Sequence, residues 1–147
     1  MHLTGDKQTE PYKLGFAIAD VVTSLYASNA ILAGLIYKQN SGLGIHLKTS
    51  LYECGVSALI NQGSNYLNGG TNPSRMGNHH PNIVPYGLYQ TKTLPIIICV
   101  GTAHHYDRLR NLLLLDNLSS YASNEQRVLH REQFDRMLND KLSKYTQ

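Results

Sequence analysis

Between residues 15 and 37 the chain reads GFAIADVVTSLYASNAILAGLIY, and Asp20 is the one charged side chain in that run. A lone acid in so apolar a setting has two readings. As a helix N-cap it would accept a hydrogen bond from the backbone and do nothing else. As a nucleophile in a dry site it would attack an activated acyl group and form a covalent intermediate. The N–H groups of the first helical turn would then favour its charge and could stabilise an oxyanion beside it. Spacing alone leaves both open.

The histidines carry less. His79-His80 lie in a Gly/Asn/Pro-rich stretch and His104-His105 open an expected helix. Neighbouring positions on a helix point in different directions, so neither pair is a natural chelate. The chain contains no HExxH, no CxxC and no phosphate-binding glycine motif, so no metal site is expected. Gly69-Gly70 and Gly77-Asn78 would let a loop approach a ligand or simply turn the chain. Arg75 would meet a phosphate, a carboxylate or water.

The elements that must position these residues form a mixed α/β order. Lys13 to Ala19 reads as a short extended segment, followed by a helix from Asp20 to about Gln39 that stops at Ser41-Gly42. That helix is apolar nearly all round, the pattern of a buried helix. A short strand, Ile45 to Lys48, comes next, then a helix from about Leu51 to Leu67 capped by Thr49 or Ser50, with Glu53 in the capping-box position if Ser50 is the cap. Residues 68–85 form a long loop, and a loop of that length is usually functional or disordered. Tyr86–Gln90 and Ile96–Val100 read as paired strands, Thr102–Leu115 as a helix. The tail, Ser123–Tyr145, is helical with Val128, Phe134, Leu138 and Leu142 as its apolar stripe.

The chain has 147 residues, a formal charge of +3, 41% hydrophobic and 16% charged residues. Its basic residues are scattered, which argues against a nucleic-acid partner. Low charge with long apolar runs points to surface covered by a partner or by further chain. Cys54 and Cys99 each lie in apolar sequence and read as free, buried thiols of a reducing compartment. The N-terminus MHLTGDKQTEPY lacks the apolar core of a signal peptide. The run from Ala27 to Tyr37 is too short and interrupted to span a bilayer, so a soluble, intracellular protein without a membrane partner is expected.

Taken in order, these stretches resemble family III CoA-transferases of the CaiB/BaiF type. GFAIADVVTSLYASNAILAGLIYKQNSGLGIHLKTSLYE is similar to the family's central segment, with its G-x-A-x-x-D, small-residue helix, glycine turn, strand and S-L-x-E/D. NYLNGGTNPSRMGNHHPNIVPYGLY resembles the block N-Y-L…P-x-R-x-G-N-x-H-P-N-I-V-P-Y, and NEQRVLHREQFDRML the helix N-x-x-R-V-x-x-R-x-x-L. The opening, MHLTG…EPYKLGFAIAD, resembles the glutarate or dicarboxylate branch. The turn Lys92-Thr93-Leu94-Pro95 departs from the family's usual D-G-Y hairpin.

The resemblance implies that Asp20 is the catalytic nucleophile, with Asn78 and His79 lining the site. It implies a CoA thioester as substrate and no permanently bound cofactor, a carboxylic acid as second substrate, and a homodimer in the full-length family. Residues 1–68 would belong to a Rossmann-like large domain and linker, and 69–147 to a small α+β domain. The chain would cover the middle third of the family pattern, with Met1 on an internal methionine. The compartment implied is mitochondrial or cytoplasmic. Two other readings follow: a racemase-like enzyme that exchanges an α-proton without moving CoA, and a non-catalytic fragment or split subunit with an exposed apolar face.

Overall fold

In the computed structural model, which describes residues 1–115 and 119–147, the chain forms two units, Met1–Arg75 and Met76–Gln147. The first is helical. Helix α1 spans Ile18–Ser41 and ends as its sequence requires: Gly42 takes the left-handed conformation (φ 73°) and its N–H reaches Lys38 O. Its start differs from expectation. Lys13–Ala19 forms no strand, the N-cap is Ala17, and Asp20 sits in the first helical turn instead of capping it. An acid inside the first turn gains from the helix dipole without making a cap bond.

The expected burial of α1 is also corrected. None of its residues is buried, and Leu32 and Ile36 are each 59% exposed. Within its unit, α1 packs on α2 (Leu51–Ser57), tied by a hydrogen bond between the Tyr26 and Ser57 hydroxyls. One partner helix covers one side only, so the rest of an all-round apolar helix stays bare. By length and composition alone, α1 is apolar enough to cross a membrane. Core helices of water-soluble proteins share that composition.

Residues 45–48 pass beside α1 without forming a strand; among the described residues this unit has no strand for them to pair with. Gly34 makes the approach possible, since a Cβ there would lie 3.2 Å from both Ile45 Cγ2 and Leu47 Cδ1. Ser50 caps α2 as read, its Oγ accepting from Glu53 N at 3.2 Å, but Glu53 Oε2 accepts from the Ser50 hydroxyl at 2.8 Å, so only half of the capping box forms. The single helix expected to Leu67 is broken. Helix α3 (Asn61–Gly69) starts after Ile60, whose φ is +49°. Gly55 and Gly63, on either side, weaken the run as one helix.

The second unit closes its own core. Strands β1 (Tyr86–Tyr89) and β2 (Ile96–Cys99) pair antiparallel, with Gly87 opposite Ile98 and Tyr89 opposite Ile96. Ile96 and Ile98 pack toward the core, while Ile97 and Cys99 face out. The strand period therefore exposes Cys99, against expectation, and both cysteines are free. Helix α4 (Ala103–Leu112), capped by Thr102, buries Tyr106. The expected tail helix is interrupted at His130 into α5 (Asn124–Leu129) and α6 (Arg131–Leu142). Phe134, Leu138 and Leu142 recur on one face of α6 and enter the core with Val84, Tyr89, Val100, Tyr106 and Tyr121, and Val128 packs at the margin.

Candidate functional site

Asp20 is exposed, and among the described residues its carboxylate has no hydrogen bond or ion pair. Its own carbonyl accepts from Ser24 Oγ at 2.9 Å. Ala17 offers no side-chain acceptor to the first turn, so the N–H groups of Ala19 and Asp20 remain available to a ligand or to water. An apolar cleft of about 450 Å³ opens at the same end of α1, lined by Leu3, Leu14, Ile18, Leu59 and Pro73 among others. Ile18 and Asp20 are two positions apart, about 200° around the helix, so the acid points away from that cleft.

Asn78 and His79 belong to the second unit and are neighbours on one turn. Gly77 provides the positive φ (57°) and His79 N closes the turn onto Met76 O at 3.0 Å. Asn78 is exposed. Beyond them, the loop is gripped by side chains of α5 and α6. Arg131 Nη2 donates to His80 O (2.8 Å) and Pro81 O (3.0 Å). Asn124 donates to Asn82 O at 2.8 Å and accepts from Val84 N at 3.1 Å. Arg127, 3% exposed, donates Nε to Val84 O at 2.6 Å and Nη1 to Tyr121 O and Ala122 O. Asn124 and Arg127 share one face of α5 and Arg131 opens α6, so one tail motif reaches residues 80–84 of the loop.

His79 lies on the core side of β1. Its Nδ1 is buried, 3.7 Å from Asp135 Oδ2, and its ring meets Tyr89 edge-on at 5.9 Å. Asp135 Oδ1 accepts a 2.7 Å bond from the Tyr89 hydroxyl. Burial, then that carboxylate, pushes the Tyr89 phenol far above its ordinary range, so it is a permanent donor. Burial lowers the Arg131 guanidinium, opposed by Asp135 and Tyr89. His80 is shifted down, first by burial and then by Arg131.

Gly87 makes room for this arrangement, because a Cβ there would stand 2.5 Å from His79 Nδ1. Gly87→Ala is expected to expel the imidazole from its seat at a cost of about 1–3 kcal/mol. Denaturant unfolding would read the loss, and a changed His79 side-chain resonance would locate it; an unchanged resonance would contradict the packing.

The other residues singled out by sequence have structural work. Arg75 donates to Asp6 O and His2 O, holding the N-terminal lead-in. Gly70 caps α3 and Gly77 makes a turn. His104 and His105 stand at the start of α4 with ring centroids 6.2 Å apart. Among the described residues no three His, Cys, Asp or Glu side chains converge on a metal position. Sequence reasoning missed Tyr89, Arg131 and Asp135; the two arginines of the tail motif were the available signal.

The family model CoA-transferase family III matches residues 1–147. The succinate–glutarate CoA-transferase of Agrobacterium fabrum is 36% identical over 99% of this chain and 37% of its own length. The human succinyl-CoA:glutarate CoA-transferase is 34% identical over 96% of this chain and 33% of its own. A solved CAIB/BAIF family protein from Brucella suis, also 36% identical, superposes with a TM-score of 0.67 over 99% of this chain and 39% of its own. The chain thus spans about a third of the length of the curated relatives it matches.

Proposed function

Because this chain belongs to CoA-transferase family III, we propose that it is part of an enzyme that moves CoA from an acyl-CoA to a carboxylic acid. Succinyl-CoA is the proposed donor and a dicarboxylate such as glutarate the acceptor, in keeping with the relatives at 34–36% identity. Asp20 is the nucleophile. Its carboxylate attacks the thioester carbonyl, forming a mixed anhydride and releasing the CoA thiolate. The thiolate attacks the aspartyl carbonyl, the donor acid leaves, and an aspartyl-CoA thioester remains. The acceptor carboxylate then attacks that thioester to give a second anhydride and thiolate. Return of the thiolate to the acceptor's acyl carbon yields the new acyl-CoA and regenerates Asp20.

The observation that carries this reading is an unpaired carboxylate in the first turn of a helix with no capping side chain. The nucleophile is open to a substrate, and the uncapped N–H groups of the same turn are available to an oxygen on which negative charge develops. Asn78 and His79 are proposed as lining residues of the substrate site. Residues 1–68 are read as part of a large domain and linker, 69–147 as a small α+β domain, and the whole enzyme as an intracellular homodimer. The bare surface of α1 supports a companion reading, in which this chain alone is a non-catalytic part of that enzyme.

Intact-mass analysis of the folded chain with succinyl-CoA separates the two. A covalent adduct of the mass of CoA less water is the expected result for a working site. Its absence would leave the catalytic reading to a longer or assembled form.

A further inference from the structure

The seat of His79 is more elaborate than lining a site requires. The ring edge Cγ–Nδ1–Cε1 lies against Gly87, and Nδ1 is buried with no hydrogen-bond partner. The side chain is nevertheless 30% exposed, so its open edge is Nε2–Cδ2. Asp135 Oδ2 lies 3.7 Å from Nδ1. That carboxylate is itself held by the Tyr89 hydroxyl on Oδ1.

A neutral imidazole carries its proton on one nitrogen only. With the lone pair on Nδ1, two electron-rich atoms would face each other in a buried space. With the proton on Nδ1, a positive N–H faces a carboxylate. We propose that Asp135 is a positioning residue that holds His79 in the Nδ1–H form, so that Nε2 is presented outward as a hydrogen-bond acceptor. Its complement is a donor group on the thioester substrate, an amide N–H of its CoA moiety. This rests on the reading that His79 lines the substrate site; the arrangement of Asp135, Tyr89 and Gly87 around the ring does not.

The test is the tautomer of His79, read by proton–nitrogen correlation spectroscopy of the whole chain labelled with ¹⁵N-histidine, at a pH where the imidazole is neutral. His79→Gln identifies the resonance. Nδ1 is expected to be protonated and Nε2 bare. In Asp135→Asn the Tyr89 hydroxyl retains Oδ1, which turns the amide NH₂ toward Nδ1. That donor requires the lone pair on Nδ1, so the tautomer ratio is expected to reverse, by about tenfold or more. A wild-type ring protonated on Nε2 would overturn the proposal without any variant. So would an unchanged tautomer in a folded Asp135→Asn chain. Adding free CoA tests the site reading separately. A shifted Nε2 resonance supports it, while an unmoved one at saturating CoA, with the Nδ1–H form intact, removes the lining role and leaves the positioning role standing.

Discussion

Replacing Asp20 with alanine is expected to abolish adduct formation from succinyl-CoA and to lower CoA exchange by about a thousandfold or more. Alanine has no group that can form an anhydride, so no partial route remains through this position. The same change should be nearly silent for the fold. The carboxylate makes no hydrogen bond or ion pair among the described residues and caps nothing. Losing a first-turn acid costs about 0.3–1 kcal/mol, and the better helix former offsets part of that. Mass spectrometry and circular dichroism on the same preparations make the comparison. An adduct of undiminished yield on the variant would assign the chemistry to another residue.

Arg127 is expected to give the opposite result, a large loss of stability without any direct chemical role. Its guanidinium satisfies three carbonyls, of Val84, Tyr121 and Ala122, and lies 3.7 Å over the Tyr106 ring. Arg127→Met keeps most of the stem's packing but leaves those carbonyls without a donor in a site nearly closed to water. At about 1 kcal/mol or more for each, the loss is about 3–5 kcal/mol. That is a substantial part of the 5–15 kcal/mol typical of a folded domain. Urea unfolding followed by tyrosine fluorescence would measure it. A loss below about 1 kcal/mol would mean that water replaces the guanidinium freely.

The two substitutions mark what the sequence reveals and what it hides. Local signals were legible. Ser50 announced its cap, the β1–β2 pair followed from two apolar runs around a turn, and Phe134, Leu138 and Leu142 lie on the buried face of α6. Where local preference met tertiary context, the reading failed. The composition of α1 says buried, but burial needs a second surface, and within its unit α2 covers only one side. Asp20 has the chemistry of a cap, yet the helix begins two residues earlier. The helix breaks at Ile60 and His130 have no proline to announce them.

The candidate site divides along the same line. Asp20, Asn78 and His79 are nominated through resemblance, each within a stretch of characteristic residues. Asp135 is not, because nothing in its own neighbourhood distinguishes it from the other acids of an amphipathic helix. Its significance comes from the register of α6 against β1, which brings it to Tyr89 and His79.

That register has a consequence for the order of events during synthesis. The bonds from Asn124, Arg127 and Arg131 that fasten the loop from His80 to Val84 join residues 40 to 51 positions apart. Their partners Asn124, Arg127 and Arg131 follow the loop by those 40 to 51 positions, so the loop emerges from the ribosome before its fasteners. Contacts of such separation form late, after the entropy of closing the intervening chain has been overcome. The segment carrying His79 is thus among the earlier parts of its unit to be made and among the last to be fixed.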